Sequence, residues 1–459
     1  MEELNIEYVL DELKRLIADK NFKRLKSVLA ETNVMDLAEI FDDLSPDESI
    51  ILLRLLDKDR AAEVFSRLSV QSRKDVVSGI HFNFLNQIIE EMSFDDKIDF
   101  FEEMPANLVK SLIAEAPQEE RKLINQFLQY PDSSAGSLMT IEYVALKKHL
   151  TVKQSLEKIK SDGVDKETIY TCYVLDETRH LEGILSLRRI VLSDDDSVIG
   201  DIMSTDIISV DTSDDQEYVA EAFKKYDLMS APVVDGEKRM VGIITIDDIM
   251  DVVERENTED FQKMAAIAPS DDEYLDASVL KLAGRRIVWL LILMISATFS
   301  GSIITRYSDV LSMAGVLTVF MPLLMDSGGN AGSQSSTLVI RGMALGEIEL
   351  KNWFAVFWKE LRVGFVAGAA LAVVNFGRMV LLTVINGAKY ADYTMGVMIT
   401  VSVTLMLSIV LAKLIGGLLP IVAKFARLDP AIMAGPLITT IIDAISLIIY
   451  FTIANALIF

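Results

Sequence analysis

Apolar positions along this chain change period twice, and each change marks a different kind of structure. Through residues 1–131 they recur at helical spacing in short blocks. Examples are Asp36-Leu-Ala-Glu-Ile-Phe-Asp-Asp-Leu44, Asp59-Arg-Ala-Ala-Glu-Val-Phe-Ser-Arg-Leu68 and Asp95-Asp-Lys-Ile-Asp-Phe-Phe-Glu-Glu-Met104. A start such as Ser45-Pro-Asp-Glu48 combines an N-cap, a proline at the first helical position and early acid. Short stacked helices of this kind predict an all-α helical solenoid. Residues 132–252 alternate strand and helix patterns in two repeated units, 132–195 and 196–252, which predicts a compact α/β pair. A charged helix follows from Asp247 to about Ile267 and is ended by Pro269. Residues 253–284 then connect to the last segment, with Ser270-Asp-Asp-Glu273 reading as a capping box for the next helix. Residues 285–459 hold five apolar stretches near 286–305, 311–339, 354–385, 394–420 and 431–457. A helix needs roughly 20 apolar residues to cross a bilayer. The second, third and fourth stretches exceed that, which predicts tilt, breaks or emergence into water.

Charge divides the chain at the same place. Residues 285–459 carry 12 basic and 8 acidic residues, leaving residues 1–284 with 32 and 60, a net −28. An acidic half this large excludes nucleic acid and anionic lipid surfaces as its partners and suits cations. Basic residues flanking the spans set the orientation. Arg285, Arg286, Arg341, Lys351, Lys359, Arg362, Lys424 and Arg427 fall on one side, and Arg306 and Lys389 on the other. The richer side is cytoplasmic. The expectation is a multi-pass protein of the cell membrane, with the soluble half in the cytosol and Phe459 outside. Trp289, Trp353 and Trp358 all fall near the cytoplasmic boundary, as an aromatic belt in contact with lipid does. No signal peptide is expected from the acidic opening Met1-Glu-Glu-Leu. The one cysteine, Cys172, lies in an apolar strand pattern and permits no internal disulfide. His81, His149 and His180 all precede the spans, so a histidine-built zinc site inside the membrane is excluded.

Two features in the apolar half carry chemistry. Between Met321 and Arg341 runs a polar, glycine-rich segment containing Asp326, Gly328, Gly329, Asn330, Gly332 and Gln334. Polar groups at membrane depth face a water-filled path or a partner helix. The glycines predict a bent backbone or close helix approach. In the last stretch, helical spacing puts Thr439, Asp443, Ser446 and Tyr450 on one stripe. Asp443 is the one acid inside that span. A carboxylate at mid-membrane costs at least about 2.5 kcal/mol. Either a cation path offsets this, or Asp443 pairs structurally with Arg378 or Lys413.

Two resemblances follow from these motifs. The phrases Leu138-Met-Thr140 and Leu181-Glu-Gly-Ile-Leu-Ser-Leu-Arg-Arg-Ile190 recur as Ile202-Met-Ser204 and Met240-Val-Gly-Ile-Ile-Thr-Ile-Asp-Asp-Ile249, and these resemble tandem CBS (cystathionine-β-synthase) domains. The run Pro322–Gly346 contains Gly-Gly-Asn330-x-Gly-x-Gln334-Ser. Together with Asp429-Pro-Ala-x-x-x-Gly-Pro436 and Thr439-Thr-x-x-Asp443, it resembles the MgtE family of magnesium channels over essentially the whole chain. The resemblance implies a homodimer with an ion path on its two-fold axis. It implies that Asp443 binds Mg2+ there, with Gly328, Asn330 and Thr439 beside it. It makes the helix from Asp247 a plug under the pore, and Mg2+ a regulator as well as the substrate. Candidate regulatory ligands are Glu63, Asp95 and Asp99, then Asp215, Glu217 and Asp227. Asp248, Asp251, Glu256, Glu259 and Asp260 on the plug helix and Asp429 at the membrane edge complete the set. CBS pairs also take adenine nucleotides through a Thr/Ser-x-x-Asp pattern. The second repeat has it as Thr245-Ile-Asp-Asp248, whereas the first has Ser186-Leu-Arg-Arg189. Tyr170 and Arg188 remain for base and phosphate, and the expectation is weak or absent ATP binding.

A transporter for Co2+, Mn2+ or Ni2+ would share this architecture. The lack of His and Cys in the spans favours a hard cation over soft metals. A nucleotide-gated membrane sensor that transports nothing is the other alternative. No P-loop, metalloprotease helix or nucleophile elbow is present, so no enzyme is expected and flow is driven by the ion gradient and voltage.

Overall fold

The structure, a computed structural model, describes residues 3–270, 274, 277–385 and 392–458. Lys389, Phe459 and the predicted cap residues Asp271, Asp272 and Glu273 lie outside the described residues. The chain forms two compact units, Met1–Val253 and Glu254–Phe459.

The first unit opens with helices α1 (Glu3–Ala18), α2 (Phe22–Glu31), α3 (Val34–Asp42), α4 (Pro46–Leu53) and α5 (Lys58–Ser66). They continue as α6 (Val70–Gly79), α7 (Phe82–Glu91), α8 (Phe94–Glu103), α9 (Ala106–Glu115) and α10 (Gln118–Phe127). The predicted start at Ser45 holds. Its backbone N–H and its hydroxyl both donate to Glu48 Oε2, at 3.0 and 2.7 Å, and Pro46 opens α4. Such a box satisfies donors that the first helical turn leaves open.

The repeat then appears as two three-stranded sheets. The first unit of the pair holds α11 (Ala135–Leu138), β1 (Tyr143–Leu146), α12 (Val152–Asp162), β2 (Thr168–Leu175), β3 (Leu181–Ser186) and α13 (Leu187–Val191). The second holds α14 (Ile199–Ile202), β4 (Val210–Asp211), α15 (Gln216–Tyr226), β5 (Ser230–Val234) and β6 (Met240–Thr245). In each sheet the first two strands are parallel and the last two antiparallel. The cores do not divide as the sequence does. Val144, Val152, Cys172 and Ile190 form a private core for the first repeat. Val219, Phe223, Val233 and Val252 of the second repeat instead join the core of the helical domain.

Helix α16 (Ile246–Met264) ends three residues before the predicted Ile267. The Ala266 N–H donates to the Lys263 carbonyl and the Ile267 N–H to the Gln262 carbonyl, both at 2.9 Å, with Ala266 at φ +55°. This left-handed closure stops the helix without help from Pro269. The capping box expected over Ser270–Glu273 falls partly outside the described residues. The Ser270 N–H donates to the Gln262 side chain at 2.7 Å, and Ser278 caps the next helix by accepting from the Lys281 N–H.

The second unit continues with α17 (Val279–Arg306), α18 (Ser308–Met313), α19 (Met321–Ala344), α20 (Trp353–Ile385), α21 (Met395–Phe425) and α22 (Gly435–Leu457). Among the described residues, four of these segments are long and apolar enough to cross a membrane: α17, α20, α21 and α22, the α20 and α22 segments counted with the short turns before them. Helix α19 is long enough, at 24 residues and about 36 Å, but carries the polar run. The stretch predicted at 311–339 is broken at Ala314, where φ is −138° and ψ 74°, and continues as a 3-10 turn over Gly315–Phe320. Helix α21 passes through the buried Pro420 to Phe425. Packed neighbours tolerate a proline inside such a helix, and α21 runs past the predicted bound near residue 420.

Candidate functional site

The glycines of α19 form a contact surface. A side chain on Gly328 would meet Ile442 Cγ2 at 2.8 Å, one on Gly329 would meet Thr439 Cγ2 at 2.7 Å, and one on Gly332 would meet Ile438 Cγ2 at 2.8 Å. A side chain on Gly416 of α21 would overlap the Gly332 carbonyl. Helices without Cβ atoms at the contact approach backbone to backbone. Helix α19 runs unbroken through these glycines, so the bend expected near Asn330 is not there. The facing helices supply the packing that the missing side chains would have given, and the backbone has no reason to turn.

Asp443 is half-buried on α22, and its Oδ1 is buried with no hydrogen-bond partner among the described residues. Both basic residues named as structural partners are engaged elsewhere. Lys413, 7% exposed, places Nζ 3.4 Å from the Ala331 carbonyl, Gln334 Oε1 and Ser335 Oγ. The Ser335 hydroxyl donates to Glu360 Oε2 at 2.6 Å. Arg378 Nη2 donates to Asn375 Oδ1 at 2.9 Å. The sequence reading did not single out this Lys413–Ser335–Glu360 chain. Its signal was a lysine and a glutamate inside apolar stretches.

The predicted stripe on α22 divides. Ser446 and Tyr450 are fully buried, and the Tyr450 hydroxyl donates to the Leu317 carbonyl at 2.9 Å. Thr439 and Asp443 remain half-buried, and the Thr439 hydroxyl donates to the Gly435 carbonyl at 3.0 Å. On α19, Asp326, Asn330 and Gln334 stand one turn apart on an exposed face, and Asn330 Nδ2 donates to Asp326 Oδ1 at 3.1 Å.

A second group of carboxylates lies in the first unit. Asp95 and Asp99 come from α8 and Asp248 from the first turn of α16. Glu142 and Glu167, not picked out from sequence, join them from the first α/β repeat. Burial and then repulsion from Asp95 push Asp248 and Glu167 up to about 7. The same two causes, in the same order, push Asp99 up to about 7, although its side chain still reaches solvent. Glu142 is also raised, by burial and by Asp95. Other candidates serve local ends. Glu63 is exposed on α5, Asp215 is the N-cap of α15 and accepts from the Glu217 N–H, and Asp227 closes α15 at φ +52°. Asp251 is exposed on α16.

Near the membrane edge the other half of α16 brings an unforeseen cation. Lys263 Nζ lies 2.6 Å from Asp429 Oδ2 and also pairs with Glu259. Burial and then the Asp429 charge raise Asp260. Among the described residues, no three His, Cys, Asp or Glu side chains close into a metal cage. Mg2+ keeps several waters and is held by one or two carboxylates at a time, so a site for it needs no closed cage.

Of the nucleotide candidates, Tyr170 is 74% exposed and Arg188 is exposed on α13. Thr245 is buried and donates to Asp248 Oδ2 at 2.9 Å.

The raised carboxylates give stability a pH dependence. A carboxyl whose folded pKa lies above its unfolded value of about 4 favours folding below pH 4 and loses that contribution as pH rises through the folded pKa. For Asp99, Asp248 and Glu167 that loss spans pH 4 to about 7. Without divalent cations, thermal unfolding of the first unit is therefore expected at lower temperature at pH 8 than at pH 5. Mg2+ added at pH 8 is expected to restore much of the difference, because a bound cation offsets the same repulsion.

Three sequence profiles match the chain. One described as a divalent cation transporter covers residues 321–453, an MgtE intracellular N domain covers 32–133 and a CBS domain covers 199–255. The magnesium transporter MgtE of Thermus thermophilus is 34% identical over 451 residues, 97% of each chain. Its Bacillus subtilis counterpart is 32% identical over 458 residues, 97% of this chain and 99% of the other. Among solved structures, the soluble part of a magnesium transporter matches at 28% identity and a TM-score of 0.52, covering 55% of this chain and 99% of its own. The cytosolic domain of the Mg2+ channel MgtE in complex with ATP matches at 35% identity and 0.51, covering 53% and 99%. With relatives spanning its full length and its polar run inside the matched transporter region, this chain belongs to the MgtE family of magnesium transporters.

Proposed function

We propose that Mg2+ crosses along the seam between α19 and α22, with Asp443 as the ion-binding carboxylate and Gly328, Asn330 and Thr439 shaping the route. The carrying observation is the buried Asp443 Oδ1, without a partner among the described residues, while Arg378 and Lys413 hold other partners. A mid-membrane carboxylate without a basic partner calls for a mobile cation. A single carboxylate with a hydroxyl nearby suits an ion that keeps its waters and must leave again.

The exposed face of Asp326, Asn330 and Gln334 supports a homodimer. Such a face at membrane depth needs water or a second protein surface, and a second copy of this chain about a two-fold axis supplies both. The excess of basic flanks on one side supports a cytosolic N domain and a last span that ends outside. The chain acts as a conduit with no chemical step of its own. The test is flux into proteoliposomes followed with an Mg2+-sensitive dye. An imposed gradient is expected to drive uptake without ATP, and Co2+, Mn2+ or Ni2+ entering in preference to Mg2+ would overturn the choice of ion.

Cytosolic Mg2+ closes the route by bridging acids of the soluble domains and of α16. Nucleotide has a lesser part. Arg189 stands where the first repeat needs an acid to read a ribose, so calorimetry is expected to find ATP binding weak. Arg189→Asp is expected to strengthen it about tenfold, the worth of one hydrogen bond to a charged group. Tight binding to the unaltered protein would overturn this.

A further inference from the structure

Helices α19 and α22 run antiparallel, and their contacts fix the register. Gly328 packs on Ile442 and Ser446, Gly329 on Thr439, and Gly332 on Ile438 and Ile442. Moving toward the start of α19 therefore moves toward the end of α22. Asp326 stands one turn before Gly329, and Asp443 stands one turn after Thr439. The two carboxylates thus share one level of the same seam, near enough for the Asp326 charge to act on Asp443. Asn330 donates to Asp326 Oδ1 at 3.1 Å and orients that carboxylate along the exposed face. Among the described residues, no lysine or arginine pairs with Asp326. At the same level Ser446 is fully buried between the helices, and its hydroxyl oxygen has no hydrogen-bond partner.

Two acids on one level of a membrane seam repel unless a cation accompanies them. A structural acid would be matched by one of the basic residues in the spans, yet those hold other partners. We propose that Asp326 is a second ion-binding carboxylate of the route, oriented by Asn330 and sharing a hydrated divalent cation with Asp443. This rests on the reading of Asp443 as an ion site. Two carboxylates per subunit also give the seam a charge that favours divalent over monovalent ions.

The experiment compares Mg2+ flux in proteoliposomes for the unaltered protein, Asp326→Asn, Asp326→Glu and Asp443→Asn. Asp326→Asn is expected to raise the half-saturating Mg2+ concentration about tenfold, a loss matching one charged contact. It is also expected to admit more Na+, and Asp326→Glu to restore most of both properties. A second measurement does not depend on activity. Cys172 is the one native cysteine, and burial pushes its thiol up to about 12, so it stays inert. A thiol introduced by Asp326→Cys is expected to react with a cationic methanethiosulfonate from water, more slowly when Mg2+ is present. Loss of flux in Asp443→Asn, with Asp326→Asn matching the unaltered protein, overturns the role of Asp326 alone. Full flux in Asp443→Asn overturns the route itself and this proposal with it. Should Asp326→Asn fail to assemble, the thiol decides: no reaction from water, or a rate blind to Mg2+, places position 326 off the ion path.

Discussion

Asp443→Asn is expected to abolish Mg2+ uptake while the protein still folds and assembles as the unaltered protein does. The substitution keeps the side chain's size and removes its charge, so the packing of Ile442, Ser446 and Tyr450 around it should survive. What disappears is the one charge on α22 that can replace part of the hydration of a divalent ion inside the bilayer. The energy at stake is large, because removing a carboxylate from a cation in a water-poor setting loses several kcal/mol. A loss of that size reads as a fall of at least about a hundredfold in flux. Flux in proteoliposomes, beside elution volume in detergent, separates a blocked route from a broken fold. Normal flux with normal elution would mean that the ion passes elsewhere. Asn330→Leu is expected to impair flux less, since it removes one amide and frees Asp326 to turn.

Neutralising Asp248, Asp251 and Glu259 together is expected to leave the channel open at Mg2+ concentrations that close the unaltered protein. On the proposed gating, each site is weak on its own, since Mg2+ keeps most of its waters, and closure needs several acting together. Asp248 stands beside Asp95, and burial and then the Asp95 charge push it up to about 7. Glu259 contributes at the other end of the same helix, where Lys263 already ties it toward Asp429. That lysine holds in place part of what a bridging metal would hold, so metal-free protein should keep some closed character at the membrane edge. Selectivity of the open route should not change, because the proposed ion-binding carboxylates lie on the seam and not on α16. Proteolysis gives a direct readout. Cleavage near residue 131 and after Ile267 is expected to be faster in chelator than in about 10 mM Mg2+, because a ligand protects the compact state it binds. Equal cleavage in both conditions, with the triple variant closing normally, would place Mg2+ sensing elsewhere.

Much of the molecule was legible in one dimension. The short amphipathic blocks became α1 to α10, the repeated phrases became two sheets of equal topology, and the apolar stretches became α17 to α22. These are periodic, local properties, set by how a helix or strand turns its side chains. The sequence also located Asp443 and the glycine run, because a charge or a polar cluster in an apolar stretch stands out without any structure. Element ends were less legible. Ala266 in the left-handed region and Ser278 as a cap close and open helices through backbone bonds that the more conspicuous Pro269 and Ser270 only suggested.

What the fold alone decided are the partnerships. By sequence, Arg378 and Lys413 were available to Asp443. In space one is held by Asn375 and the other by Ala331, Gln334 and Ser335 of α19. The glycines allowed either a bend or a close contact, and the nearness of Ile442, Thr439 and Ala412 selected contact. Asp326 and Asp443 are far apart in sequence, and no periodicity links them. They share a level because two antiparallel helices meet at Gly329 and Thr439. The sequence by itself determined which segments exist, which of them are apolar and which charges are out of place. Which charge answers which belonged to the tertiary structure, because the energy of a buried charge depends on what lies within a few ångströms of it, and chain order does not record that.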